Sequence, residues 1–144
     1  MAAEAPSGEI LVLVERPVAC DLWEMARLLA DALSADVRVL YFAGAPPGVS
    51  GSAKRLYCEY CAHSMEDHIR YQVARYLSPY DATIEEVKGD PVKHVRRRTR
   101  KGNGVVVMAR IGRGRLAGRL WQRIEAASGW PVVTVPPMCI CLRG

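Results

Sequence analysis

The chain has 144 residues, half of them hydrophobic and 24% charged, with a formal net charge of +5. That length and apolar share suffice for one domain with its own core, and they exclude a disordered, collagen-like or low-complexity chain. No uncharged apolar run approaches the roughly 20 residues of a bilayer helix, so no membrane span is expected.

Residues 1–8 read as a tail that lacks the basic and apolar stretches of a secretory signal. The expectation is therefore a cytoplasmic protein, whose five cysteines are thiols or metal ligands rather than disulfides. Glu9 to Val14 is a short apolar run rich in β-branched residues, as in a strand buried on both faces. A turn from Glu15 to Cys20 leads to Asp21, which with Glu24 has the spacing of a capping box. Leu22, Met25, Ala26, Leu29, Ala30 and Leu33 then repeat with helical period as one buried stripe. Val37 to Phe42 reads as the second strand, and Gly44 to Ser52, with its prolines and glycines, as a loop.

A helix ending near Leu77 follows, with Met65, Ile69, Val73, Tyr76 and Leu77 on one face. Ala82 to Val87 is a more polar strand, expected at a sheet edge. Asp90 and Pro91 have the identities of an N-cap and a first helical residue. That helix turns Val92 and Val95 inward and displays Arg96, Arg97, Arg98, Arg100 and Lys101. Val105 to Met108 is the fourth strand, and Ala109 to Arg115 a basic, glycine-containing loop. A helix to about Ala127 follows, then a break at Ser128 and Gly129. Trp130 to Val135 is the last strand, and residues 137–144 form a cysteine-bearing tail. Strands alternating with helices make a single three-layer α/β domain over residues 9–136, with a five-stranded parallel sheet.

The order of these segments resembles the universal stress protein family. Ile10 to Val14 followed by an acid is similar to its first strand, and Val87 to Pro91 to its third strand–helix turn. Val105 to Leu116 resembles the strand, loop and helix start that surround the nucleotide phosphates, and Trp130 to Pro136 the last strand. The resemblance implies the strand order 3-2-1-4-5 and a homodimer paired through the last strands. Physical chemistry supports that pairing, because an apolar edge strand such as Pro131 to Val135 invites a partner.

Nucleotide-binding members carry G-x2-G-x9-G-[S/T] after the fourth strand, where small residues let backbone N–H groups approach phosphates. On this chain the four positions are Ala109, Gly112, Gln122 and Arg123, so only Gly112 is kept. The acid after the first strand, usually Asp, is Glu15. Gln122 and Arg123 are expected to crowd the place of a triphosphate, so ATP is not expected to bind in the family manner. Glu15, Gly112, Arg113, Gly114 and Arg123 are the candidates for another anion, such as AMP or a bare phosphate. The plain structural reading of Gly112 and Gly114 is that they only turn the chain.

The charge is uneven. From Lys88 to Arg123, twelve Lys or Arg face one acid, Asp90, whereas the rest holds eight bases and fourteen acids. Arg96, Arg97, Arg98, Arg100, Lys101, Arg110 and Arg115 form a candidate basic face for an acidic protein partner or a phosphate-bearing ligand. The alternative is a solvated helix face. No aromatic residue lies between Tyr80 and Trp121, so a nucleic-acid stacking platform is missing and nucleic acid is not expected.

Cys58 and Cys61 form C-x2-C, and Cys139 and Cys141 form C-x-C. Two thiolate pairs can complete a zinc site in a subunit of a larger assembly. Equally, Cys58 and Cys61 fit one buried helical face as small apolar groups. Cys20 reads as a packing residue. His63, His68 and His94 are scattered, and G-x-S-x-G, the Rossmann glycines and the P-loop are absent. The expectation is a non-catalytic, stress-associated regulatory protein. The alternatives are a nucleotide or phosphate sensor and a metal-binding subunit.

Overall fold

Strand β1 (Glu9–Val14) is the centre of the molecule: Ile10, Leu11, Val12, Leu13 and Val14 are all essentially inaccessible to solvent. In the computed structural model, residues 8–15, 20–42, 62–109 and 119–136 are described, with the backbone alone at 62–65. Along them run α1 (Cys20–Leu33), β2 (Asp36–Phe42), α2 (Ala62–Leu77) and a 3-10 turn (Ser78–Tyr80). Then follow β3 (Thr83–Val87), α3 (Pro91–Arg98), β4 (Gly104–Ala109), α4 (Leu120–Ser128) and β5 (Val132–Val135). All strand pairs are parallel and the order is β3-β2-β1-β4-β5.

The alternation of a strand splits the core in two. Ile10, Val12, Val14, Val37, Val39 and Tyr41 pack with α1 and α2, against Trp23, Ala26, Ile69 and Leu77. Leu11, Leu13, Leu40, Phe42 and Met108 pack with α3 and α4, against Val92, Val95, Leu120 and Ile124. Each such buried side chain contributes about 1.5–3 kcal/mol. The central strands therefore read as unbroken apolar runs, whereas β3 at the edge shows two acids.

Gly104 marks a close approach. A Cβ there would run into the carbonyl oxygen of Glu9 and the indole of Trp130. The start of β4 is held by Glu9 N–H donating to the carbonyl of Asn103 at 3.1 Å and Val106 N–H to that of Pro131 at 2.9 Å.

Several expectations need adjusting. Helix α1 begins at Cys20, so Asp21 lies inside its first turn rather than before it. The buried face of α1 includes Trp23, while Leu33, near the helix end, is exposed. Strand β5 begins at Val132, two residues after Trp130, which is instead a buried plug under the second core. Met65's side chain, the loop 44–52 and the tail 137–144 lie outside the described residues.

Candidate functional site

Two places carry the charged residues. The first is the C-terminal end of the sheet, where β1 and β4 part company because the chain winds one way from β1 and the other way from β4; open α/β sheets place ligands at such a switch point. Glu15 follows β1 directly there and is only 8% exposed. Ala109, at the first glycine position of the nucleotide motif, ends β4 and is half-buried. Gln122 and Arg123 lie early in α4, and both are exposed; the cap residue Arg119 makes no side-chain cap bond. Arg110, Gly112, Arg113, Gly114 and Arg115 lie outside the described residues.

The second place is built by α3. Asp90 caps the helix, accepting from Val92 N–H at 3.0 Å, and Pro91 occupies the first turn, as the sequence pattern required. Val92 and Val95 anchor the inner face. Thr99 closes the helix, its hydroxyl donating to the Val95 carbonyl at 2.8 Å. Because α3 returns from the end of β3 to the start of β4, its basic C-terminal turn lies toward the N-terminal ends of the strands. Arg96, Arg97 and Arg98 there complement the helix dipole. Arg96, Arg97, Arg100 and Lys101 are exposed and Arg98 is half-buried.

Between this turn and β3 lies an open groove of about 580 Å3, lined by Glu85, His94, Arg97, Arg98, Arg100 and Lys101. Its single carboxylate among the described residues is already shared. Arg98 Nη2 lies 2.8 Å from Glu85 Oε1, as an ion pair without an aligned hydrogen bond, and Arg38 Nη1 lies 4.0 Å away. Arg38 in turn donates through Nε to Glu9 at 2.8 Å. Among the described residues no carboxylate pairs with Arg97, Arg100 or Lys101, so the groove keeps a surplus of positive charge.

His94 sits at the base of this groove, its side chain 13% exposed, with its ring edge-on to Phe42. Arg97 Nη2 lies 3.2 Å from its Nδ1. A guanidinium has only donors, so Nδ1 accepts and the ring proton is on Nε2. Nε2 is buried without a hydrogen bond and lies 3.9 Å from Glu85 Oε2. Burial pushes the ring's pKa down, Arg97 and Arg98 push the same way, and Glu85 opposes them. The ring is neutral at pH 7. Neither His94 nor Glu85 was singled out from the sequence. The available signal was the spacing of His94 to Arg97 and Arg98, which puts all three on one helical face.

Cys20 corrects the expectation that the cysteines are thiols or metal ligands rather than disulfides: it is disulfide-bonded. Cys58, Cys61, Cys139 and Cys141 lie outside the described residues. Among the described residues no group of three or more His, Cys, Asp or Glu side chains is arranged to hold a metal, and no helix is long and apolar enough to cross a membrane.

No family model matches the sequence, and no curated protein matches it. Solved structures do match its fold. The universal stress protein UspA from Lactobacillus plantarum superposes with a TM-score of 0.62 at 14% identity, covering 92% of this chain and 99% of that one. The chain has the universal stress protein fold. A universal stress protein from Archaeoglobus fulgidus matches at 0.58 with 16% identity, covering 90% of this chain and 93% of that one. A universal stress protein in complex with cAMP matches at 0.56 with 16% identity, covering 92% and 99%. The strand order agrees with the fold expected from the sequence.

Proposed function

We propose that this chain is a non-catalytic, stress-associated regulatory protein that docks an acidic protein partner on the groove beside α3. One observation carries the reading: Arg97, Arg100 and Lys101 surround an open groove whose only carboxylate among the described residues, Glu85, is engaged by Arg98 and Arg38. Unpaired cations with low-dielectric walls focus a positive potential and recruit anions. Arg96, and Arg110 and Arg115 further along the chain, extend the basic character of the same region of sequence. Binding of an octa-aspartate peptide, followed by calorimetry at rising salt, tests the docking. The affinity falls steeply as the ionic strength passes about 0.1 M, where the screening length shrinks to roughly 10 Å. Salt-insensitive binding contradicts charge-led docking.

The same reading holds that ATP is not bound in the family manner, because Ala109, Gln122 and Arg123 stand where nucleotide-binding members have small residues. It also includes a homodimer paired through β5, the edge strand whose Val132 and Val133 are only half-buried in one chain.

A second reading is favoured by a separate observation. Glu15 is buried at the switch point, and one structure of the same fold was solved in complex with cAMP. On that reading the chain senses a mononucleotide such as cAMP or AMP near Glu15, Gly112 and Arg123. Calorimetry with cAMP, AMP and ATP separates the two: saturable heat from any of them moves the function to the C-terminal end of the sheet. The Cys20 disulfide leaves three of the five cysteines as thiols, so a zinc site on all four of Cys58, Cys61, Cys139 and Cys141 is not proposed.

A further inference from the structure

We propose that His94 is the positioning residue of the α3 groove: its neutral ring parks Arg97, and its protonation releases Arg97 to the acidic ligand. The inference rests on the docking reading above and adds its regulation by pH.

The geometry supplies the device. Arg97 donates to Nδ1 of His94, an acceptor only while the ring is neutral. A proton on Nδ1 turns that acceptor into a donor, so the two cations repel and the Arg97 head must leave. The groove then gains one unit of charge and an unparked guanidinium with its full set of donors. On the other side of the ring, the charged Nε2–H faces Glu85 Oε2 at 3.9 Å and competes for the carboxylate that now holds Arg98. Both changes favour an anion in the groove.

The surroundings of the ring are accounted for from each packed element. Its own helix presents Arg97 and Arg98, and β3 presents Glu85. Strand β2 presents the edge-on Phe42, with Arg38 reaching Glu85 at 4.0 Å. No charged group of α4 acts on it. Burial and the two arginines keep the ring neutral near pH 7, so the groove is in its parked state there.

The test uses a hexapeptide of cysteic acid, whose sulfonates stay ionised throughout, with the whole chain at low salt between pH 7.5 and 5.5. Affinity rises about fivefold or more on acidification, within the usual range of two-site coupling. In His94→Gln, whose amide oxygen can still accept from Arg97 but cannot charge, the rise disappears. Should that variant not fold, the wild-type chain decides alone: by reciprocity, saturating peptide raises the His94 pKa followed by ring-proton resonances. A flat profile in the wild type, the same rise in His94→Gln, or a His94 titration unmoved by peptide overturns the gate while leaving docking intact. Absence of peptide binding at every pH overturns docking itself, and the gate with it.

Discussion

The two ends of the sheet both carry charge, and they arrange it differently. At the C-terminal end a buried carboxylate, Glu15, sits at the switch point, with Gln122 and Arg123 exposed on α4. A carboxylate beside the site disfavours phosphate, so an anion there must lean on backbone N–H groups. At the N-terminal end four cations surround one shared carboxylate in an open groove. That arrangement needs no donor from the ligand and no close backbone approach, only negative charge. The switch point of the sheet and the groove beside α3 are therefore separate places, and the proposed docking uses the second.

Four results break or sharpen this comparison, the largest first. Replacing Arg97, Arg100 and Lys101 together by Ala removes three cations that no described carboxylate pairs, each worth up to about 1 kcal/mol toward an exposed anion. Octa-aspartate affinity at low salt then drops about tenfold to a hundredfold in calorimetry, while any heat with AMP or cAMP is unchanged. Glu85→Gln moves two quantities in opposite directions. It strips Arg98 of its carboxylate and lowers stability by about 1–2 kcal/mol in urea unfolding, a modest figure because the pair is partly exposed. It also tightens octa-aspartate binding, since the one competing anion is gone. A variant that loses stability and affinity together contradicts the groove's electrostatics.

Asp90→Ala tests the scaffold under the groove. It removes the cap accepting from Val92 N–H and costs about 1 kcal/mol. Peptide binding weakens only if the fraying reaches the last turn of α3. The smallest effect is the pH dependence of folding. The folded pKa of His94 lies below its ordinary value of 6.5, so the unfolded chain takes up the proton first. This group's contribution is whole above pH 6.5 and is lost as pH falls through the lower folded value. Urea midpoints compared at pH 7.5 and 5.5 show it, and His94→Gln removes that part of the loss.

Much of the fold was legible because its signals are local. Ile10 to Val14 and Val105 to Met108 are strands buried on both faces, which leave unbroken apolar runs, and Gly89, Asp90 and Pro91 spell a helix start through their backbone preferences. The polar residues of β3 correctly marked a sheet edge. Rotation and length of a helix are less local: Trp23, outside the stripe read on α1, is fully buried, while Leu33, within it, ends the helix and is exposed. The basic turn of α3 was legible as composition, but the groove was not. Its wall is Glu85 of another element, and its base is a histidine that looked unremarkable alone. The disulfide at Cys20 was hidden for the same reason, since pairing depends on distance in space and not on spacing in sequence.

The most direct test maps the bound acidic ligand onto the two ends of the sheet. Backbone and side-chain resonances of the labelled chain, followed while octa-aspartate is added at low salt, report which end responds. Shifts concentrated at Glu85, His94, Arg97, Arg100 and Lys101, with Glu15 and the first turn of α4 unmoved, are the predicted result. Shifts centred on Glu15, Gln122 and Arg123, with the α3 turn silent, would contradict the account.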